Sequence, residues 1–185
     1  MAAAGHTGDE ARARSALADP AAGVRATALG ALARMGRLTV KDVAGGLADA
    51  AATVRRRAAQ VGAAVAGAPV RIGLDDSDAL VVEMAAWAIG EQGDDDAVAD
   101  LAAVATGHAD PRCREAAVAA LGAIGHRGGL PAVMAALGDR PAVRRRATVS
   151  LAAFDGKEVE AALRRCLDDR DWQVRHVAEE LLADG

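Results

Sequence analysis

Residues Asp110 to Gly125 read DPRCREAAVAALGAIG, which is a turn, an amphipathic helix and a glycine stop. The apolar residues recur every three or four positions, the period of one helix face. Many of them are small, so a neighbouring helix can approach closely. Similar text occurs six times within the 185 residues. The chain is therefore predicted to be a repeat array.

One position in each copy sets the register of the repeats. It is the first apolar residue of the second helix, and successive copies lie 27 to 32 residues apart. These residues are Val24, Val54, Val81, Cys113, Val143 and Val174. An alanine stands four positions after each of them and a small residue nine positions after, as close stacking of helices requires. Each unit is predicted to hold a first helix (helix A), a turn and a second helix (helix B).

The predicted fold is all-α: a right-handed α-α solenoid of six units within a single domain, residues 1–185. The units cover approximately residues 8–36, 37–67, 68–93, 94–127, 128–156 and 157–185. Helices A are expected at about 8–18, 39–50, 68–74, 94–106, 128–138 and 157–167. Helices B are expected at about 21–35, 52–66, 78–91, 111–125, 141–154 and 171–183. The third helix A contains Pro69 and is expected to be short and irregular.

A charged pair recurs beside the turn of the unit. Most helices A end in Leu-x-Asp, at Asp19, Asp49, Asp76, Asp139 and Asp169, with His108 replacing the acid in the fourth unit. Each carboxylate can accept a hydrogen bond from the start of the following helix. An arginine follows each register residue, at Arg25, Arg55, Arg114, Arg144 and Arg175, with Val82 as the exception. We expect these residues to form a ladder of ion pairs along the array.

Composition and charge narrow the function classes. The hydrophobic fraction is 52%, yet the chain has one Phe, two Trp and no Tyr, so alanine dominates. A formal net charge of −4 argues against a protein built mainly for nucleic acid or an anionic membrane. Cys113 and Cys166 form no CxxC motif and are predicted to be buried, reduced thiols. With no apolar leader and no run long enough to span a bilayer, a cytoplasmic location is expected.

The pattern Val-Arg-x-x-Ala-Ala-x-Ala-Leu-Gly-x-Ile-Gly after Leu-x-Asp resembles the phycobilisome-lyase type of HEAT-like repeat. Cys113 to Gly125 matches it closely, with Cys in the Val position. The resemblance covers Ser15 to Leu182 and implies the fold more strongly than a function. The class it resembles includes scaffolds, chromophore-lyase subunits and the iron enzyme deoxyhypusine hydroxylase.

Neither a metal site nor a catalytic site is predicted. HEAT-like hydroxylases carry His-Glu pairs on helices B as iron ligands, and no His-Glu pair occurs in this sequence. The histidines His6, His108, His126 and His176 are scattered. His108 is expected to replace the turn aspartate. Neither a serine-histidine arrangement nor a glycine-rich phosphate loop is apparent, so we expect no enzyme activity and no cofactor.

Two arginine triplets allow two interpretations. Arg55, Arg56 and Arg57 open the second helix B, and Arg144, Arg145 and Arg146 open the fifth. On a concave wall of helices B they can bind an acidic protein segment or a nucleic-acid backbone. Alternatively, each triplet is one ladder arginine followed by two solvated ones. The absence of aromatic residues from the triplets argues against single-strand binding.

The third helix B departs most from the repeat pattern. It carries Glu83, Trp87 and Glu91 on one face. Trp87 is either a partly exposed interface anchor or a filler for space left by the short third helix A. Trp172 is predicted to pack in the C-terminal cap. Polar outer faces are expected at the ends of the array, from Asp9, Glu10, Arg12 and Arg14 and from Glu179.

The predicted function is a non-catalytic scaffold for a protein or peptide on the concave face. The predicted binding residues are Arg55, Arg56, Arg57, Glu83, Trp87, Glu91, Arg144, Arg145 and Arg146. Two alternatives remain open. One is binding of the DNA backbone in an arginine-rich groove, as in certain alkylpurine DNA glycosylases that resemble HEAT-like arrays. The other is a chromophore-lyase-like subunit. The partner and the oligomeric state are not specified by the sequence.

Overall fold

The computed structural model describes residues 3–183, where all regular secondary structure is helical. The α-helices are α1 (Ala3–Ala16), α2 (Ala22–Arg34), α3 (Val40–Leu47), α4 (Ala52–Gly62), α5 (Ala79–Gln92), α6 (Val98–Gly107), α7 (Pro111–Ile124), α8 (Leu130–Ala136), α9 (Pro141–Ser150), α10 (Lys157–Cys166) and α11 (Trp172–Ala183). Short 3-10 helices occupy Val70–Asp75, Asp95–Ala97, Arg127–Gly129 and Leu151–Ala153. The prediction of an all-α solenoid of two-helix units is confirmed.

The six predicted pairs of helices appear in order within residues 3–183. Helices B are α2, α4, α5, α7, α9 and α11. The third helix A, expected to be short and irregular, is a 3-10 helix at residues 70–75 that follows Pro69. Proline lacks a backbone N–H and restricts its own φ. A segment of six residues is too short to add the further hydrogen bonds that would stabilise a regular α-helix.

Local signals in the sequence determine where helices begin and end. Thr39 and Asp42 form a reciprocal capping box at the start of α3. The glycines that follow the first five helices B, at positions 36, 67, 93, 125 and 156, all have positive φ. At Gly125 the backbone is left-handed and its N–H bonds the carbonyl of Leu121 at 3.0 Å, which closes α7.

Small residues let neighbouring helices approach closely. A Cβ added to Gly46 in α3 would lie 2.7 Å from the Cβ of Ala58 and 2.9 Å from a methyl group of Leu29. A Cβ added to Gly122 in α7 would lie 3.0 Å from the Cα of Ser150 in α9. Larger side chains cannot enter either contact without displacing a helix.

The chain divides within α5 into two compact units, residues 3–88 and residues 89–183. Leu29, Leu32, Val43 and Val54 are fully buried in the first unit. Leu101, Val118, Leu121 and Leu151 are fully buried in the second. In the described part of the chain, no helix combines the length and apolar character needed to cross a membrane. The single domain over residues 1–185 stays a prediction.

Candidate interaction surface

A ladder of arginine–aspartate pairs links successive turns inside each compact unit. The pairs are Arg25–Asp49, Arg55–Asp76, Arg114–Asp139 and Arg144–Asp169. Every pair is bidentate, with N···O distances of 2.6 to 3.0 Å. Each guanidinium also donates to a backbone carbonyl of its own turn, as Arg55 does to Asp49 at 3.0 Å. The predicted ladder is confirmed at these four arginines. Arg175 donates to the backbone carbonyl of Asp169 at 2.8 Å and pairs with no aspartate side chain among residues 9–183.

The ladder determines what two of the predicted binding residues can do. Hydrogen bonds from Arg55 hold the pKa of Asp76 below its ordinary value, and hydrogen bonds from Arg144 do the same for Asp169. Arg144 is buried, with 6% of its surface exposed. A buried guanidinium needs such a partner to offset the loss of its hydration. Arg55 and Arg144 are therefore engaged in the ladder and do not present free positive charge.

The ladder is interrupted at two positions where the sequence departs from the repeat pattern. Val82, which stands in the arginine position of the third unit, is fully buried. His108, in the aspartate position of the fourth unit, accepts the N–H of Asp110 through Nδ1 at 3.0 Å. Asp49 accepts the N–H of Ala51 in the same way, at 2.8 Å. His108 thus replaces the aspartate as a cap, as predicted, without the negative charge that pairs with arginine elsewhere.

The first triplet continues into two exposed arginines, Arg56 and Arg57 in α4. Neither forms an ion pair with any side chain of residues 9–183. Arg57 donates to the side-chain oxygen of Gln60 at 2.7 Å, and the Arg56 side chain has no hydrogen-bond partner in that range. No carboxylate of the described residues therefore compensates the positive charge of these two arginines.

The second triplet has the same residues in different surroundings. Arg145 pairs with Asp171 at 2.7 Å, and Arg146 lies 3.6 Å from Glu115. The hydrogen bond from Arg145 lowers the pKa of Asp171. Both arginines are about half exposed. Carboxylates thus neutralise every arginine of the second triplet.

The repeat register shows why the triplets differ. Glu115 stands two residues after the register position of its unit, and the corresponding residue in the first unit is Ala26. Arg57 therefore lacks the acid that Arg146 has. Asp78 corresponds to Asp171, but it forms no ion pair with Arg56 and instead caps α5 by accepting the N–H of Leu80 at 2.9 Å.

A groove of about 370 Å³ lies beside Arg56 and Arg57 on the faces of α2, α4 and the start of α5. Its lining consists of Gly23, Ala26, Thr27, Ala52, Thr53, Arg56, Arg57, Gln60, Asp78 and Leu80. The small side chains of glycine and alanine leave room for a peptide backbone. Hydroxyl, amide and guanidinium groups of the lining can form hydrogen bonds with it. This composition suits an extended polar segment with one apolar side chain.

Trp87 lies on α5, with 43% of its surface exposed. Glu83 is half-buried and Glu91 is exposed, each one helical turn from Trp87. Leu80 lines the groove with 37% exposure and lies seven residues before Trp87, about 10 Å along the same side of the helix. Leu80 and Trp87 are therefore two exposed apolar residues on one side of α5, with Glu83 between them.

The prediction for Trp172 is wrong. Its side chain is 63% exposed and does not pack in a cap. It occupies the first position of α11, two residues before the buried Val174, where the side chain points away from the helix interface. Its ring lies 6.3 Å from that of His176.

Within residues 3–183, no cluster of three His, Cys, Asp or Glu side chains could hold a metal ion. The side chain of His6 lies outside the described residues. Cys113 and Cys166 are buried free thiols, as predicted, and burial raises the pKa of Cys166.

Sequence reasoning missed several groove residues: Thr27, Thr53, Gln60, Asp78 and Leu80. They come from three helices and carry no motif of their own. Thr53 and Leu80 each stand immediately before a register residue, where both are exposed, and this is the positional signal that the two share.

Comparisons with known proteins agree with this architecture. The HEAT-repeat family matches residues 68–152 and 103–183, more than half of the chain. No curated protein matches the sequence. Among solved structures, the designed armadillo repeat protein YIII(Dq)4CqI has a TM-score of 0.67 at 19% identity, over 93% of this chain and 98% of that one. Human deoxyhypusine hydroxylase in complex with glycerol has a TM-score of 0.54 at 17% identity, over 95% of this chain and 85% of that one.

Both structural likenesses are below 25% identity and show the fold alone. The phycobilisome-lyase subtype stays a prediction. Repeat solenoids are typical of protein-interaction scaffolds. The family match, the paired helices and the regular ladder together lead to one conclusion: the chain belongs to the HEAT-repeat family.

Proposed function

We propose that this chain is a non-catalytic protein-interaction scaffold that binds an acidic peptide segment of a partner protein. The segment lies in the groove beside Arg56 and Arg57 and extends toward Trp87. One observation carries the proposal: two exposed arginines line a groove and form no ion pair within residues 3–183, whereas their counterparts in the second triplet are paired with acids.

The chemistry of the groove supports a carboxylate-rich segment. A guanidinium binds a carboxylate through two parallel hydrogen bonds, which gives both affinity and orientation. Thr53 and Gln60 flank Arg56 and Arg57 on α4 and can bond the peptide backbone. Residues 1–88 contain ten Lys and Arg against nine Asp and Glu, whereas residues 89–185 contain twelve against seventeen. An acidic partner is therefore directed to the first unit rather than the second.

The exposed apolar side chains of Leu80 and Trp87 on α5 support a mixed segment rather than a purely acidic one. About 10 Å separates Leu80 from Trp87 along the helix, which an extended peptide covers in about three residues. Tryptophan is enriched among residues that dominate binding energy. An apolar side chain three or four residues from the acidic groups can thus contact Trp87.

Fluorescence anisotropy with a labelled peptide, Glu-Glu-Leu-Glu-Glu-Leu, tests the proposal. Arg56→Glu combined with Arg57→Glu should weaken binding at least tenfold, because two attractive contacts become repulsive. The matched control is Arg145→Glu combined with Arg146→Glu, which should change the affinity less than twofold. Trp87→Ala should weaken binding severalfold. The proposal fails if the peptide does not bind or if the two double variants weaken it equally.

A competition experiment separates this function from binding of nucleic acid. Random-sequence duplex DNA should not displace the labelled peptide at physiological salt, because the formal net charge of the chain is −4. Displacement that becomes steeply weaker with added salt would support DNA binding instead. The absence of His-Glu pairs on helices B supports a scaffold rather than a hydroxylase.

A further inference from the structure

The first unit exposes a residue that every other unit buries. Val24 is 41% exposed, whereas the register residues of the other five units are at most 2% exposed. In a stack of repeats, each unit covers a face of the next, and neighbouring helices B pack together, as α2 does on α4. Val24 therefore lies on a packing face that is exposed among the residues the structure describes.

This face is a groove of about 470 Å³ between α1 and α2. Its lining consists of Asp9, Arg12, Ala13, Ala16, Val24, Thr27, Ala28, Ala31, Arg34 and Met35. Alanine, valine and methionine form an apolar floor, and charged residues stand at its rim. Small side chains on both helices allow another helix to approach closely.

The polar cap predicted at this end is only partly present. Glu10 and Arg14 bond each other at 3.0 Å, and Arg14 also reaches Asp42 at 3.2 Å and the carbonyl of Arg37 at 2.8 Å. Glu10 and Arg14 therefore fasten α1 to the second unit and do not screen the outer side. The expectation that they form an outer polar face is wrong.

The charges left at the rim belong to Asp9, Arg12 and Arg34. None of the three forms an ion pair with another side chain of residues 9–183. Because both signs occur on one face, a copy of the same face related by a two-fold axis can place each arginine near the other copy's Asp9. Such self-complementarity is the requirement of an isologous dimer, in which both subunits use the same patch.

We propose that two copies of this chain associate through their α1–α2 faces. Val24 and the alanines of α2 meet their equivalents at the centre of the interface, and Arg12 and Arg34 meet the partner copy's Asp9 at the rim. Thr27 lines both this face and the groove beside Arg56 and Arg57, so the two surfaces are neighbours on α2. Val24 and the charges at the rim carry the dimer proposal, which does not rest on peptide binding.

Sedimentation equilibrium of the full chain tests the dimer. The mass should approach twice the 18.7 kDa of one chain at concentrations up to about 100 µM and rise no further. Val24→Glu should weaken dimerisation at least tenfold. Because position 24 lies in the first turn of α2, an acidic residue there favours the helix, so the variant should stay folded. Circular dichroism checks that it does.

The matched control is Val40→Glu, since Val40 is 42% exposed in the first turn of α3 and lies outside the groove. It should leave dimerisation unchanged. A charge-exchange pair sharpens the test: Asp9→Arg alone, and Arg12→Glu with Arg34→Glu, should each weaken self-association, and mixing the two variants should restore a heterodimer. A constant mass of one chain, a mass that keeps rising beyond two chains, or equal loss in Val24→Glu and Val40→Glu would overturn the proposal.

Discussion

The two arginine triplets share a sequence and differ in what surrounds them. In each, the first arginine bridges two turns, as Arg55 does with Asp76 and Arg144 with Asp169. The following pair is neutralised by Asp171 and Glu115 in the second triplet, but not in the first. A basic run therefore offers uncompensated positive charge only where its neighbours supply no carboxylate. The neighbours lie in other repeats, more than twenty residues away along the chain.

The largest expected effect is on stability, and it should differ between the first and the second arginine of a triplet. Arg144→Ala should lower the free energy of unfolding by about 3 kcal/mol, because it leaves the carboxylate of Asp169 without its partner in a largely buried position. Arg145→Ala should change it by less than about 0.5 kcal/mol, since exposed ion pairs contribute little. Urea unfolding at pH 7 measures both. Equal losses would mean that burial does not distinguish these arginines.

Low pH should reduce the loss of stability that Arg144→Ala causes. The pKa of Asp169 is lower in the folded chain than in the unfolded one, so its stabilisation is full above the ordinary aspartate pKa of about 3.9 and is lost as the pH falls below that value. Asp49, Asp76 and Asp139 follow the same direction. The difference in unfolding free energy between wild type and Arg144→Ala should therefore narrow between pH 7 and about pH 3. A constant difference contradicts the ladder explanation.

A smaller effect is expected when the first triplet receives the acid that it lacks. Ala26→Glu places a carboxylate where Glu115 stands relative to Arg146, and it should pair with Arg57. Peptide affinity should fall about fivefold, roughly 1 kcal/mol, while stability changes little. Anisotropy titration measures the loss, and Ala26→Gln is the uncharged control. If glutamine weakens binding as much as glutamate, obstruction of the groove rather than charge is responsible.

The reciprocal change should have the smallest effect. Glu115→Ala removes the partner of Arg146 across a 3.6 Å gap, so unfolding should change by less than about 0.5 kcal/mol. The second triplet should then gain weak, salt-sensitive affinity for the acidic peptide. Titration at about 50 mM and 200 mM salt detects it. No gain at low salt would show that the second triplet lacks a suitable groove even when its charge is free.

Periodicity made most of the fold predictable from the sequence. The register alanines and the glycine stop depend on local geometry, which is why the helix pairs and the stop at Gly125 were predicted correctly. The 3-10 helix at Val70–Asp75 was predicted only as an irregular segment, because Pro69 excludes a regular start without specifying what replaces it. The ladder was predicted because both of its partners recur in every regular unit.

The candidate site was less predictable, because ion pairing depends on distances between repeats. The sequence grouped Arg55 with Arg56 and Arg57, although the first is engaged with Asp76 and the other two are not. Trp172 was predicted to pack in a cap, because its position at the start of a helix does not show that the side chain points into solvent. The exposure of Val24 could not be read from its identity, which is the same as that of buried residues in other units.

The ladder also determines how the length of such a chain can change. Each arginine bonds its own turn and the aspartate of the next, and every rung uses the same two groups. Removing residues 139–168 would bring Asp169 to the place of Asp139, opposite Arg114, with the chemistry of the rung unchanged. Loss of a fraction of a unit would leave an arginine facing the wrong residue. Whole repeats can therefore be removed or added without breaking the ladder, whereas fractions of a repeat cannot.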